Sequence, residues 1–330
     1  MTKINIRTAR REAGFPSSWR WIAIAALRAL IVILCVTTAV FFLIRIVPGD
    51  PAKMILGEYA TDESIAALRH TLGLDLSLWE QFMRFVRTLF TQGDTGNSIV
   101  SGVSVRELIA ARTPVTLLLI ALACVLAIAF SLVLAVLAAT NKDKLLDHLI
   151  RVFPAITLGM PVFWVGLLLI LLFGVRLHWF PVGGVKEGWS GMLYSLTLPA
   201  ITVAFSQIPT LVRSLRAQML DVLESDFVVT LRAARIPRRV ILFKHVLRNA
   251  ALPTLMLFGV NLSYLIGGTL VVEQVFGIKG IGSLLFTSIS SRDFPVIQGI
   301  ALYCAVAVVA IGLLVDIVAW WLDPRTKEKR

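Results

Sequence analysis

Apolar residues in this chain run in long unbroken blocks separated by short polar stretches, not in the alternation of a half-buried strand. Residues 115–139, 152–175, 249–272 and 294–315 each extend at least 22 positions without a charged side chain. A helix rising about 1.5 Å per residue needs roughly 20 such positions to cross the hydrocarbon layer of a bilayer. Each block is long enough for one span. Residues 188–212 form a fifth block, interrupted by Pro199, Gln207 and Pro209. Residues 29–44 form a sixth between Arg28 and Arg45, whose long stems can reach the two interfaces. The pattern predicts an all-α polytopic membrane protein with six transmembrane helices. The first block follows a basic region, as a secretory signal does. Its apolar stretch is longer than a signal core, however, and it continues as "FFLIRIVPGDP" with no small-x-small cleavage site, so it is expected to remain as an anchor.

Composition agrees with this. The 330 residues are 57% hydrophobic and 16% charged, where soluble domains are about half apolar and a quarter charged. Cys35, Cys124 and Cys304 fall in separate spans and read as small apolar fillers, not as a disulfide framework. The net charge of +12 matters less than where it lies. The N-terminal tail has Lys3, Arg7, Arg10, Arg11, Arg20 and Arg28 against Glu12. Residues 213–250 carry eight Lys/Arg against three acids, and basic residues also mark 140–151 and the tail after Leu322. The intervening connections 176–193 and 273–295 have two basic residues each. Lys/Arg-rich loops stay cytoplasmic, which places both termini inside. The chain then divides into a cytoplasmic basic tail (1–25), a first span (26–46) and an external segment (47–108). A core of five spans follows (109–322), with a basic cytoplasmic segment at 213–250, and then a cytoplasmic tail (323–330). Nucleic-acid binding is not implied, because the charge tracks the connections between spans.

Within the basic segment, "SDFVVTLRAAR" offers Ser225 or Asp226 as a helix cap, and Pro237 ends that helix and opens another. From Arg238 to Ala251, Val240, Phe243, Val246, Leu247 and Ala250 share one helical face; Arg238, Lys244, His245, Arg248 and Asn249 share the other. Two short helices joined at Pro237 are expected at the membrane face. By pattern alone they suit either docking of a partner or rest on lipid headgroups.

The residues of this segment add a resemblance. "SDFVVTLRAARIPRRVILFKHVLRNAALPTL" is similar to the cytoplasmic loop of ABC-importer permeases of the dipeptide/oligopeptide/nickel type. "RIVPGDPA", "LGLDLSLWEQF", "GMPVFWVGLLLILLF", "FPVGG", "EQVFGIKGIGSLLF" with "RDFPVIQG", and "LLVDIVAWWLDPR" resemble further pieces of that family in the same order, so the likeness covers about residues 26–326. Two positions depart from it: the loop's usual glycine falls at Arg235, and Ile278-Lys279 replace a Trp-Pro pair. The resemblance implies a type I importer permease in a bacterial inner membrane, carrying peptides or a related small solute. Its implied partners are a second homologous permease, two cytoplasmic ATP-binding subunits and an external substrate-binding protein, all about the lipid bilayer. It also implies that Asp226, Thr230, Arg232, Ala233, Ala234 and Arg235 form the coupling segment that docks an ATPase.

Catalytic and cofactor chemistry is not signalled. No G-x-x-x-x-G-K-[ST] stretch cradles a nucleotide, so ATP hydrolysis is expected in a separate subunit. His70, His148, His178 and His245 are scattered without metal-ligand spacing, and no cofactor, metal or catalytic residue is expected. Gln207, Asn261, Ser263 and Thr269 are uncharged polar residues in spans, open to a role along a translocation path or in hydrogen bonds between helices. Asp316 is expected to pair with a basic residue near the end of the last span. The alternative function is an ion-coupled secondary transporter, but the inverted repeats and midplane ionisable groups of such proteins are not evident.

Overall fold

The computed structural model describes residues 18–46, 49–57, 60–157 and 159–322. The basic tail up to Ser17, Glu58 and the stretch 323–330 lie outside them. Every regular element among the described residues is helical; an isolated antiparallel bridge joins Asn97 and Ser104. Helix α1 is Ser18–Ile46. Three short helices follow, α2 (Pro51–Leu56), α3 (Asp62–Leu72) and α4 (Leu78–Gln92). Then come α5 (Val105–Thr140), α6 (Leu145–Thr157), α7 (Val162–Arg176) and α8 (Trp189–Leu223). The chain ends with α9 (Asp226–Ala233), α10 (Arg238–Val275), α11 (Ile281–Ser290) and α12 (Phe294–Leu322).

Five of these helices, α1, α5, α8, α10 and α12, are long and apolar enough to cross a membrane. The span expected over 152–175 is not one straight helix. It is the pair α6–α7, bent by 111°, and makes a sixth span only if the pair crosses as a unit. The break has a local cause. Pro161 caps the start of α7 in an extended conformation, and a proline disfavours helix in the residue before it.

Helix α8 is the centre. Its apolar window is 72% buried, against 11% for α1 and α12, although it is the least apolar of the five. A helix surrounded by protein need not match lipid, so Pro199, Gln207 and Pro209 are accommodated there, each buried. Its main neighbour is α5, which presents Ala123, Ala127, Ser131, Ala135 and Ala139 at every fourth position. That stripe of small side chains lets the two backbones approach closely. The opposite face of α5, with Leu117, Val125 and Val133, is exposed, as suits lipid. A main apolar cluster joins α5, α8 and α10 and includes Leu119, Leu196, Val203, Phe258 and Phe276.

Arg45 departs from expectation. Its guanidinium lies 3.6 Å from the centre of the Phe41 ring and its Nε donates to Gln81 Oε1 at 2.9 Å, so it ties α1 to α4. Phe41, Phe42, Phe82 and Phe85 pack around that junction, Phe42 stacked on Phe82 and Phe41 edge-on to it. Asp316 makes no hydrogen bond or ion pair among the described residues; the basic residues that follow it in the sequence, from Arg325 on, lie outside them.

Candidate coupling surface and polar residues within the spans

At the end of the bundle where basic residues concentrate, α8 continues about three turns past Val212 and stops at Leu223. Ser225 then begins α9 in extended conformation. One face of α9 is anchored. Val228 is 0% exposed and packs with Met219, Ile241, Val246 and Ala250, while Leu231 and Ile236 rest on the same cluster. The other face is open: Phe227 is 43% and Val229 56% exposed, and Asp226, Thr230, Arg232, Ala233, Ala234 and Arg235 are all exposed. All six residues of the expected coupling segment therefore share one short exposed unit.

The end of α9 explains one departure noted in the sequence. Arg235 has φ of 58°, the left-handed region that glycine adopts without steric cost. Its N–H donates to Arg232 O at 3.0 Å, and the Ile236 N–H donates to Leu231 O at 3.2 Å. These two bonds, with Leu231 and Ile236 on one apolar cluster, form a Schellman stop. Arginine occupies a position whose geometry favours glycine.

The second cytoplasmic helix expected after Pro237 is not a separate element. Residues from Arg238 onward are the first turns of α10, continuous to Val275 through a π-helical stretch at Ile241–Val246. The amphipathic pattern of 238–251 has a tertiary cause: Ile241, Val246 and Ala250 close over Val228 and Met219.

Two ion pairs brace this end. Arg216 on α8 donates from Nε and Nη2 to the two oxygens of Asp147 on α6, each at 2.6 Å, and Asp147 is 0% exposed. The Asp143 N–H adds a third bond to the same carboxylate. Lys142 donates to Glu224 at 2.7 Å. That exposed hydrogen bond pushes the lysine's pKa above its ordinary value and the glutamate's below. The linker before α6 is thereby fastened to the linker before α9.

The four polar span residues separate into two kinds. Thr269 is fully buried and its hydroxyl donates to Leu265 O on its own helix, and Gln207 is buried with its Nε2 donating to Ser206. Neither opens onto a surface. Asn261 and Ser263 are half-buried on α10, beside Tyr264, which is 74% exposed.

A fifth polar group escaped the sequence reading. Glu273, near the end of α10, is 0% exposed. Its carboxylate accepts the Thr116 hydroxyl from α5 and the Gly282 N–H at the start of α11, both at 2.6 Å. Thr116 in turn accepts the Ile281 N–H at 3.0 Å. A side chain at Gly280 would strike that carboxylate, since an added Cβ would lie 2.3 Å from it. Of the Ile278-Lys279 pair, Ile278 is buried in the main cluster and Lys279 is exposed, so an apolar and then a solvated residue fill these sites.

Comparison with known proteins agrees with the geometry. Residues 131–328 match the binding-protein-dependent transport system inner membrane component, and residues 19–120 match the N-terminal part of such a membrane component. The chain belongs to this family. Similar proteins include the oligopeptide transport system permease AppB of Bacillus subtilis, 36% identical over 91% of this chain and 96% of the relative. The glutathione transport system permease GsiC of Salmonella paratyphi A is 35% identical over 90% and 95%. A peptide transport system permease of Brucella abortus is 37% identical over 91% and 96%. This permease is therefore a multi-pass inner-membrane component of a transport system that works with a binding protein, and not an enzyme in its own right.

Proposed function

We propose that this permease forms half of the translocation pathway of an ABC importer for peptides or a related small solute. A second homologous permease supplies the other half, and two cytoplasmic ATP-binding subunits drive the cycle. The peptide class is supported by the names of the relatives at 35–37% identity. The basic end is assigned to the cytoplasm because Lys/Arg-rich connections are retained there.

The observation that carries the coupling role is the two-faced character of α9. Its Val228 side is built into the core shared by α5, α8 and α10, while Phe227, Val229, Ala233 and Ala234 stand outward. A push on the outward side reaches the spans through rigid packing, which is what transmission from a moving ATPase requires. Asn261 and Ser263, with Tyr264, are the span residues proposed to face the pathway. Gln207 and Thr269 serve helix packing.

Ala233→Glu tests the coupling role. A charge buried unpaired in a protein interface costs several kcal/mol, enough to weaken docking by orders of magnitude. The variant is expected to insert normally but to lose co-purification of the ATPase subunits and uptake, while Ala233→Ser keeps both. Full ATPase recovery and uptake with Ala233→Glu would show that α9 rests on lipid, where a charge can reach water.

A further inference from the structure

A cleft of about 300 Å³ opens between α6 and α8 at the basic end of the bundle. Its apolar wall is made by Ile150, Pro154 and Ala155 of α6 with Val212 and Ala217 of α8, and three arginines, Arg151, Arg213 and Arg216, complete it. The spacing explains the shape. Arg151, Pro154 and Ala155 lie one turn apart on one face of α6, as Arg213, Arg216 and Ala217 do on α8, so the faces oppose each other. Ala155 and Ala217 are too small to close the gap between them.

The three arginines are not equivalent. Arg216 is committed to Asp147 by two hydrogen bonds. Arg151 and Arg213 are exposed and make no hydrogen bond or ion pair among the described residues. Asp147 is bonded to Arg216 and also attracts Arg151 across one turn of α6, so the cleft sets three guanidinium groups against one carboxylate above an apolar floor. A guanidinium fork matches phosphate oxygens, and an apolar floor matches an acyl chain. A soluble anion would satisfy the arginines and leave the floor uncovered; an uncharged lipid would do the reverse. Basic pockets between spans on the cytoplasmic side of a membrane are suited to anionic headgroups.

We propose that this cleft binds one anionic phospholipid, with its phosphate held by Arg151 and Arg213 and an acyl chain lying along Ile150, Pro154 and Val212. The lipid bridges α6, the first arm of the bent pair, to the central helix α8. It thereby braces the arm whose direction changes at the break before α7.

The test is native mass spectrometry of the full-length permease in detergent with phosphatidylglycerol or phosphatidylcholine of identical chains. Arg151→Gln/Arg213→Gln leaves the Asp147–Arg216 pair intact. Arg238→Gln/Arg239→Gln removes the same charge from exposed positions at the same end. Ala217→Phe fills the cleft with no change in charge. Wild type and the Arg238/Arg239 double are expected to retain one phosphatidylglycerol at least tenfold better than phosphatidylcholine. The Arg151/Arg213 double and Ala217→Phe are expected to lose that preference, and millimolar inorganic phosphate is expected not to displace the lipid. Equal behaviour of the two doubles would reduce the effect to net charge. Equal retention of phosphatidylcholine, retention by Ala217→Phe, or displacement by free phosphate would each overturn the proposal.

Discussion

Arg235 sits at φ 58°, and Arg292 repeats the arrangement at the end of α11 with φ 54° and an Asp293 N–H bonded to Ser288 O. Gly73 and Gly277 close α3 and α10 in the same left-handed conformation. For a residue with a Cβ this conformation costs about 1 kcal/mol relative to glycine. The Arg235→Gly variant is therefore expected to slow amide exchange at 235 and 236 about fivefold, the equivalent of roughly 1 kcal/mol of local stability. Arg235→Val should speed it by at least as much, since a β-branched residue fits the region worst. Hydrogen exchange of the detergent-solubilised chain measures both, and unchanged exchange in the pair would show that the backbone there carries no strain. The glycine expected at this position by resemblance was legible; the reason for it lies in the Leu231–Ile236 contact, which closes only on the folded core.

Among the elements, α11 is held from one end. Its first turn gives N–H groups to Glu273 and Thr116, and Gly282 approaches so closely that an added Cβ would lie 2.4 Å from the Leu270 backbone. A carboxylate at a helix N-terminus satisfies donors that have no partner within the helix and complements the helix dipole. Glu273→Ala would strand those buried groups, at a cost of roughly 3 kcal/mol. The expected outcome is a lower melting temperature and faster amide exchange across 276–290, with α9 unaffected. Equal loss of protection in α9 and α11 would mean that Glu273 supports the whole bundle and not this one element. The motif "EQVFGIKGIG" was visible in the sequence, but Thr116 lies 157 positions from Glu273, so nothing local marks their contact.

At the scale of the molecule, α8 forms the axis, with α5 and α10 against it and α1 beside α12 at the periphery. By the charge asymmetry, the α8–α9 end is expected in the cytoplasm and the connection after α7 outside. In a background lacking Cys35, Cys124 and Cys304, Lys186→Cys should react with a membrane-impermeant maleimide in intact cells. Arg238→Cys should react only after permeabilisation. Labelling of Arg238→Cys in intact cells would reverse the topology and remove α9 from reach of any cytoplasmic ATPase.

Apolar length and charge placement determined the membrane class, the positions of five spans and the exposed basic segment before any fold was known. Hydrocarbon thickness and loop charge act on each stretch of chain separately, so a linear sequence expresses them fully. The small-residue stripe on α5 was likewise written in the sequence, though not the helix it meets. Tertiary structure alone decided the direction of the bend between α6 and α7 and the joining of Arg238–Val275 into one helix. It also decided the partners of Asp147 and Glu273. Their side-chain partners, Arg216 and Thr116, stand 69 and 157 positions away, and burying a carboxylate is tolerable only where packing delivers donors to it. Those two side chains arrive from other helices once the bundle has closed, and no neighbour in sequence announces them.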